Sequence, residues 1–319
     1  MTAVENTDSK SPQAGGRTAA LPALNTGAAL VIGAALLFAC KGTLIKYIYS
    51  LGAGVADLMI LRLLFSFPIY LWVASRYFPR AARSASPRQW AGIALCGICG
   101  YYVSSFFDML GLERVSVGLE RVILYTYPAF VVIFSMLLLR KRISLQLCAY
   151  IALTYCGLLL VFYADMHGRP AASVAAITKG SLLVFAAAIT FSTYVIGSEY
   201  FMRSISSALF TATAMMAAGL AMAVHYALMN SFAHLRELPA TIYMWCAIAA
   251  IVFTVLPSFM MSAGVRRVGS ATAGALGMIG PIATLGIAAV FLGEPLSALQ
   301  IAGLIVVMAG VYRVHRMKP

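Results

Sequence analysis

Hydrophobic and polar positions in this chain alternate in blocks, not turn by turn. Apolar runs of about 20 residues succeed one another from residue 26 to residue 314, separated by short polar segments. In a helix rising 1.5 Å per residue, a run of that length matches the roughly 30 Å hydrocarbon core of a bilayer. The blocks predict ten transmembrane helices, at 26–49, 56–77, 90–110, 117–139, 144–164, 178–200, 207–229, 241–263, 270–292 and 297–314. Residues 1–24, rich in Ser, Thr, Ala and Gly, have neither an apolar core nor a patterned face. They read as a disordered cytoplasmic tail and not as a cleaved signal, which needs a short apolar run before a small-residue site.

Composition sharpens this picture. Of 319 residues, 62% are hydrophobic and 10% charged, against roughly 25% charged in a soluble domain. The ten runs leave no length for a large soluble domain, which argues against a cytoplasmic enzyme and a secreted disulfide scaffold. The net charge of +13 sits in short loops between apolar runs, so it gives no basic face for nucleic acid, and no nucleic-acid partner is expected. Its distribution instead orients the chain, because cytoplasmic loops collect Lys and Arg. With the N-terminus inside, the inner segments hold fifteen: Lys10, Arg17, Arg76, Arg80, Arg83, Arg88, Arg140, Lys141, Arg142, Arg203, Arg266, Arg267, Arg313, Arg316 and Lys318. The outer loops hold Arg114, Arg169, Lys179 and Arg236. Both termini are therefore expected in the cytoplasm, in a multi-pass protein of the inner (cytoplasmic) membrane. The pattern specifies no oligomeric state.

A shift of 153 residues superposes one half of the chain on the other. Gly27, Leu30, Val31, Ala34, Ala35 and Phe38 fall on Gly180, Leu183, Val184, Ala187, Ala188 and Phe191, six identities in a window of twelve. The same shift sets Ser105 and Phe106 on Ser258 and Phe259, Gly111, Arg114, Val115 and Pro128 on Gly264, Arg267, Val268 and Pro281, then Ser144 on Ser297 and Gly157 on Gly310. Five spans per copy is an odd number, so the second copy enters the membrane upside down. An inverted repeat of this kind marks secondary transporters, in which two bundles rock about a site near the bilayer midplane. Arg114 and Arg267 occupy equivalent repeat positions, and loop charge places the first outside and the second inside.

Several segments taken together are similar to a known family. They are Lys41-Gly42-Thr43-Leu44-Ile45-Lys46, Arg62 with Pro68, the run from Gly111 to Arg121 leading into Tyr125-Thr126-Tyr127-Pro128, and Leu292-Gly293-Glu294-Pro295-Leu296 before the last span. In order and spacing the chain resembles the drug/metabolite transporter superfamily, and within it the ten-helix EamA-type permeases. The repeats would span 25–164 and 178–316. One departure stands out: the family often repeats the Gly-Glu turn after its fourth span, where this chain has Arg140-Lys141-Arg142. The resemblance implies export, less often uptake, of small metabolites such as amino acids.

Charges inside the apolar runs are the candidate chemistry, since each costs about 2.5–3.5 kcal/mol at mid-membrane and asks for a partner or a wet cavity. Lys41 lies near the middle of the first span. It either faces a central cavity and attracts a substrate carboxylate or phosphate, or pairs structurally with an acidic side chain. Lys46, Arg62 and Arg121 lie nearer the outer surface, where long side chains snorkel; as gate or ion-pair members their candidate partners are Asp57, Asp108, Glu113 and Glu120. Gly97, Tyr101, Ser104, Asp108 and Gly111 line one side of the third span, and Arg121, Tyr125 and Pro128 one side of the fourth. Such stripes suit either a substrate path or helix–helix contact. The expected substrate contacts are Lys41, Tyr101, Ser104, Tyr125 and Tyr194, in a cavity between spans 1, 3, 4, 6, 8 and 9. Tyr243 and Trp245 are further aromatic candidates, with interface anchoring as the alternative.

Pro128 and Pro281 remove a backbone donor each and predict matched kinks in the fourth and ninth spans. The six cysteines fall within spans, and Cys96-x-x-Cys99 lacks a thioredoxin-like context. No P-loop, G-x-S-x-G or H-E-x-x-H occurs, so neither metal nor cofactor is expected. The reading is an all-helical carrier working by alternating access on a small-molecule substrate in the lipid bilayer. An intramembrane enzyme and a non-transporting scaffold or sensor are the alternatives. The sequence offers no paired mid-membrane acids, Ser/His pair or metal cluster, which counts against the enzyme.

Overall fold

The computed structural model describes residues 20–81, 86–138, 144–167, 170–230, 232–294 and 296–316. The tail up to residue 19, with Lys10 and Arg17, lies outside the described residues, as do Arg83, Arg140, Lys141, Arg142, Arg169, Pro295 and Lys318. All regular structure among the described residues is helical.

Five helices make up the first half. They are α1 (Ala20–Ser50), α2 (Val55–Ala81), α3 (Pro87–Leu112), α4 and α5 (Leu145–Met166). The fourth, α4, comes in two pieces, Val117–Leu124 and Tyr127–Leu138. In the second half, α6 is Ala171–Phe201, α7 Ser207–Met229, α8 Ala240–Val268, α9 Ile279–Leu292 and α10 Ala298–Arg316. The first eight are long and apolar enough to cross a membrane; α9 and α10 are shorter apolar helices. A one-turn-and-a-half helix, Phe232–Glu237, fills the α7–α8 connection.

Three boundaries differ most from the sequence expectation, one of them the start of α6 at Ala171, seven residues before the expected 178. Helix α1 begins at Ala20, inside the stretch read as tail; Pro22 sits in its first turn, where a backbone N–H has no helical partner to lose. The polar connection expected after residue 263 is not a loop, because helical backbone runs on from Leu256 to Gly277. The chain nonetheless doubles back there. Met260 and Val268 descend along Gly33 and Gly27 of α1, whereas Thr284 reaches the Ala39 carbonyl and Glu294 reaches Lys46, climbing it again. Serines set several helix starts: the hydroxyls of Ser116, Ser144 and Ser206 accept from the amides of Leu119, Leu147 and Leu209, and Ser86 and Ser297 form reciprocal boxes with Gln89 and Gln300.

The outer surface of the bundle is apolar, with Leu64, Trp72, Leu95, Leu159, Leu182, Val290 and Phe291 all exposed. Charged Asp108, Glu120 and Arg121 are buried. That distribution inverts a soluble protein's and fits a lipid solvent. Hydroxyls within the helices are satisfied locally: Thr190 and Thr213 donate to carbonyls four residues back, Ser192 and Ser198 three residues back.

The repeat is visible in the packing. Gly27 of α1 lies against Arg267 and Val268 of α8, and its mate Gly180 of α6 lies against Arg114 and Val115 at the end of α3. Likewise Gly111 meets Val184, and Gly264 meets Val31. Each copy's first helix therefore packs on the other copy's third, through glycines that allow the backbones to approach. Helices α5 and α10 meet by the same rule, Gly157 on Val307 and Gly310 on Thr154. Arg114 and Arg267 stand at opposite ends of the bundle: Arg114 shares a cavity with Lys46 near the end of α1, and Arg267 sits against Gly27 near its start.

Candidate central site and ion cluster

Two irregularities recur at matching repeat positions. Helix α3 widens into a π-helical segment over Ile98–Val103, and α8 does so over Ile251–Val255; Ile98 and Ile251 are equivalent under the 153-residue shift. In α8 the cause is legible, since Pro257 cannot donate to the carbonyl one turn earlier, and the Thr254 hydroxyl donates to the Ala249 carbonyl at 2.9 Å. In α3 the widened turn brings Gly100 against Tyr194 of α6.

The second pair are helix interruptions. Helix α4 breaks at Tyr125–Thr126, two residues before Pro128, and the helical run of the second copy breaks at Met278, just before Pro281. The breaks face each other across the bundle: the Tyr125 hydroxyl donates to the Gly277 carbonyl at 2.5 Å and packs on Gly280. Thr126 donates to the Ile123 carbonyl, supplying one bond where the helix pattern lapses. Half-helices whose ends meet inside the membrane present free backbone groups to a central space.

One step along α4 from its break stands a buried ion cluster. The Lys41 Nζ lies 3.9 Å from Asp108 Oδ2, and the Arg121 Nε 3.8 Å from Glu120 Oε2. Both separations exceed a hydrogen bond. Arg121 also donates to the Phe38 carbonyl of α1 at 3.1 Å. Gly42 lets α1 come down on this group, with Val117, Glu120 and Arg121 at its face. Asp108 Oδ1, Glu120 Oε2 and Arg121 Nε are buried without a hydrogen-bond partner. Arg62 of α2 has no carboxylate within 4.0 Å among the described residues; with Ser66, Tyr101 and Tyr102 it lines a cavity of about 30 Å³.

The expected site residues thus separate into groups. Lys41, Asp108 and Arg121 come together in the cluster, joined by Glu120. Tyr101 and Tyr194 form an edge-to-face pair, ring centroids 4.7 Å apart, continued by Phe191 and Phe210. Ser104 gives its hydroxyl to the Ala187 carbonyl of α6 at 2.9 Å, and Gly97 and Gly111 fit against α7 and α6, so much of the α3 stripe is helix–helix contact. Trp245 packs edge-on against Tyr47, and Tyr243 donates to the Leu235 carbonyl.

Lys46 corrects the sequence reading. Its partner is none of Asp57, Asp108, Glu113 or Glu120 but Glu294, at 3.2 Å. The Glu294 carboxylate also accepts from the amides of Val117 and Gly118, capping α4 from the far end of the chain. Gly293, with φ of 66°, makes the turn that aims it there. The four acids expected to group at one end also divide. Asp57 accepts from Tyr226 and Gly54 and pairs with His234, and Glu113 pairs with its neighbour Arg114, while Asp108 and Glu120 lie buried in the interior. Beside Lys46, Arg114 and Glu294 lies a larger cavity, about 490 Å³, also lined by Glu113, Asp165 and His167. Among the described residues no group of three His, Cys, Asp or Glu is placed to hold a metal ion.

A duplicated, apolar-walled helix bundle with broken helices meeting over a buried ion cluster defines a membrane transporter of the two-repeat type. The model of the EamA-like transporter family matches the chain twice, over residues 25–163 and 178–315, and the chain belongs to that family. It is 30% identical over 278 residues to the uncharacterized transporter YcbK of Bacillus subtilis (strain 168), an alignment covering 86% of this chain and 87% of that one. A solved structure described only as a crystal structure of a protein shares the fold, with a TM-score of 0.62 at 15% identity, covering 90% of this chain and 94% of the other.

Proposed function

We propose that this protein is a secondary transporter that exports a small polar or amphipathic metabolite, an amino acid or a related compound, across the cytoplasmic membrane by alternating access. In this reading ten spans thread the bilayer as two inverted five-span halves with both termini in the cytoplasm, and the Arg114 end of the bundle faces outward. Lys41 attracts the anionic group of the substrate, Tyr101 and Tyr194 offer aromatic faces to its body, and Ser104 and Tyr125 hold the helices that frame the path. The Lys46–Glu294 pair with Arg62 and Arg121 belongs to the gating contacts. The cavity of about 490 Å³ beside Lys46, large enough for a small metabolite, serves as the outer vestibule.

The observation that carries this reading is the meeting of the two helix breaks, Tyr125 on Gly277, at equivalent repeat positions beside buried charge. Rocking one half against the other about that contact would expose the cluster to either side in turn. The test is reconstitution into liposomes with a panel of labelled amino acids, nucleosides and organic anions. At least one should exchange across the bilayer faster than in protein-free vesicles. Single cysteines at positions 80 and 230 should label from opposite faces; labelling from the same face would overturn the inverted threading.

A further inference from the structure

Binding a substrate anion leaves one part of the cluster unaccounted for: its two carboxyl groups. Asp108 is 4% exposed and Glu120 is 1% exposed, each with an oxygen that meets no donor. Their charges are balanced only at a distance, by Lys41 at 3.9 Å and Arg121 at 3.8 Å. The groups facing them are Lys41 and Tyr49 from α1, Arg62 from α2 and Arg121 from α4, and the two carboxyls also face each other. Three cations thus stand against two acids. That surplus favours an anion, and an anion that takes Lys41 or Arg121 takes it from the carboxylate of Asp108 or Glu120.

We propose that Asp108 and Glu120 carry a coupling proton that crosses the membrane in the same direction as a substrate bearing a carboxylate. This rests on the transport reading above and adds its energetics. When the substrate carboxylate pairs with Lys41 it displaces Asp108. An ionised carboxylate without a counter-charge in lipid is costly, so the free Asp108 oxygen takes a proton from water on the side the substrate came from. An O–H bond forms and the substrate's negative charge is balanced. When the substrate leaves on the far side, Lys41 returns to Asp108, the O–H bond breaks and the proton goes to water there. Glu120, beside Asp108 and equally short of donors, passes or shares it. Substrate and proton bind cooperatively, each raising the affinity for the other. Export of a monoanion such as lactate or glutamate then runs down its own gradient with no net charge moved, and export of a zwitterion such as alanine carries one positive charge with it.

The test uses the full chain in liposomes containing a trapped pH dye and loaded with labelled L-alanine, L-glutamate or L-lactate. Efflux of a transported probe should alkalinise the interior by about one proton per molecule. In Asp108→Asn and Glu120→Gln the ratio of protons to substrate should fall towards zero, whatever the remaining rate. If a variant does not insert, the wild-type ratio decides alone. Efflux at constant internal pH, efflux with acidification, or an unchanged ratio in both variants would overturn the proposal. Exchange of labelled for unlabelled probe, measured without a pH gradient, reports transport itself. Exchange without proton movement removes the coupling only, and the absence of exchange for every probe removes the transport reading and the coupling with it.

Discussion

Lys41 shows what a single residue discloses. A lysine in the middle of an apolar run must be paired or wetted, and that demand was readable from sequence; that Asp108 answers it, at 3.9 Å, was not. Replacing Lys41 by Ala should lower transport at least about tenfold, the worth of a charge-assisted contact of about 1.5–3 kcal/mol, with membrane expression near normal. Labelled-substrate flux normalised to a quantitative blot measures this, and undiminished flux would remove Lys41 from the mechanism. Glu120 and Glu294 were less legible. Glu120 lies in the first turn of α4, where loop counting places an acid near water, and its burial comes from Gly42 drawing α1 over it. Glu294 meets Lys46 across 248 residues, a separation at which no local pattern reports a contact.

At the level of helices, the sequence marks where regularity fails better than how. Pro128 and Pro281 announced irregular stretches, and the interruptions fall two or three residues before them because each proline withdraws a donor from the turn that precedes it. Nothing comparable announced the widened turn in α3, whose repeat mate of Pro257 is Ser104. The small-residue positions were ambiguous between path and packing, and the structure gives Gly97 to packing: a Cβ there would collide with the Ala214 carbonyl of α7. Gly97→Ala should therefore destabilise the bundle by about 1–3 kcal/mol, read as a lower melting temperature in detergent. Gly286→Ala, where a Cβ meets nothing within 4 Å in a helix interior, is the matched control and should leave the melting temperature unchanged or slightly raised.

For the whole molecule, the constant 153-residue shift made the equivalence of the halves plain, because duplication preserves spacing even where it loses identity. It could not tell which helices become neighbours. Periodicity assigns each helix a face but no companion, and the companions here are exchanged: α1 with α8, α6 with α3, α5 with α10. That exchange makes the covalent link between the halves dispensable in principle. Two polypeptides, residues 1–167 and 170–319, made from separate reading frames should find each other in the bilayer, co-purify and regain flux. Either fragment alone should be cleared by membrane proteases, its glycine seams left against lipid tails that cannot fill them. A chain built this way tolerates being severed but not being halved.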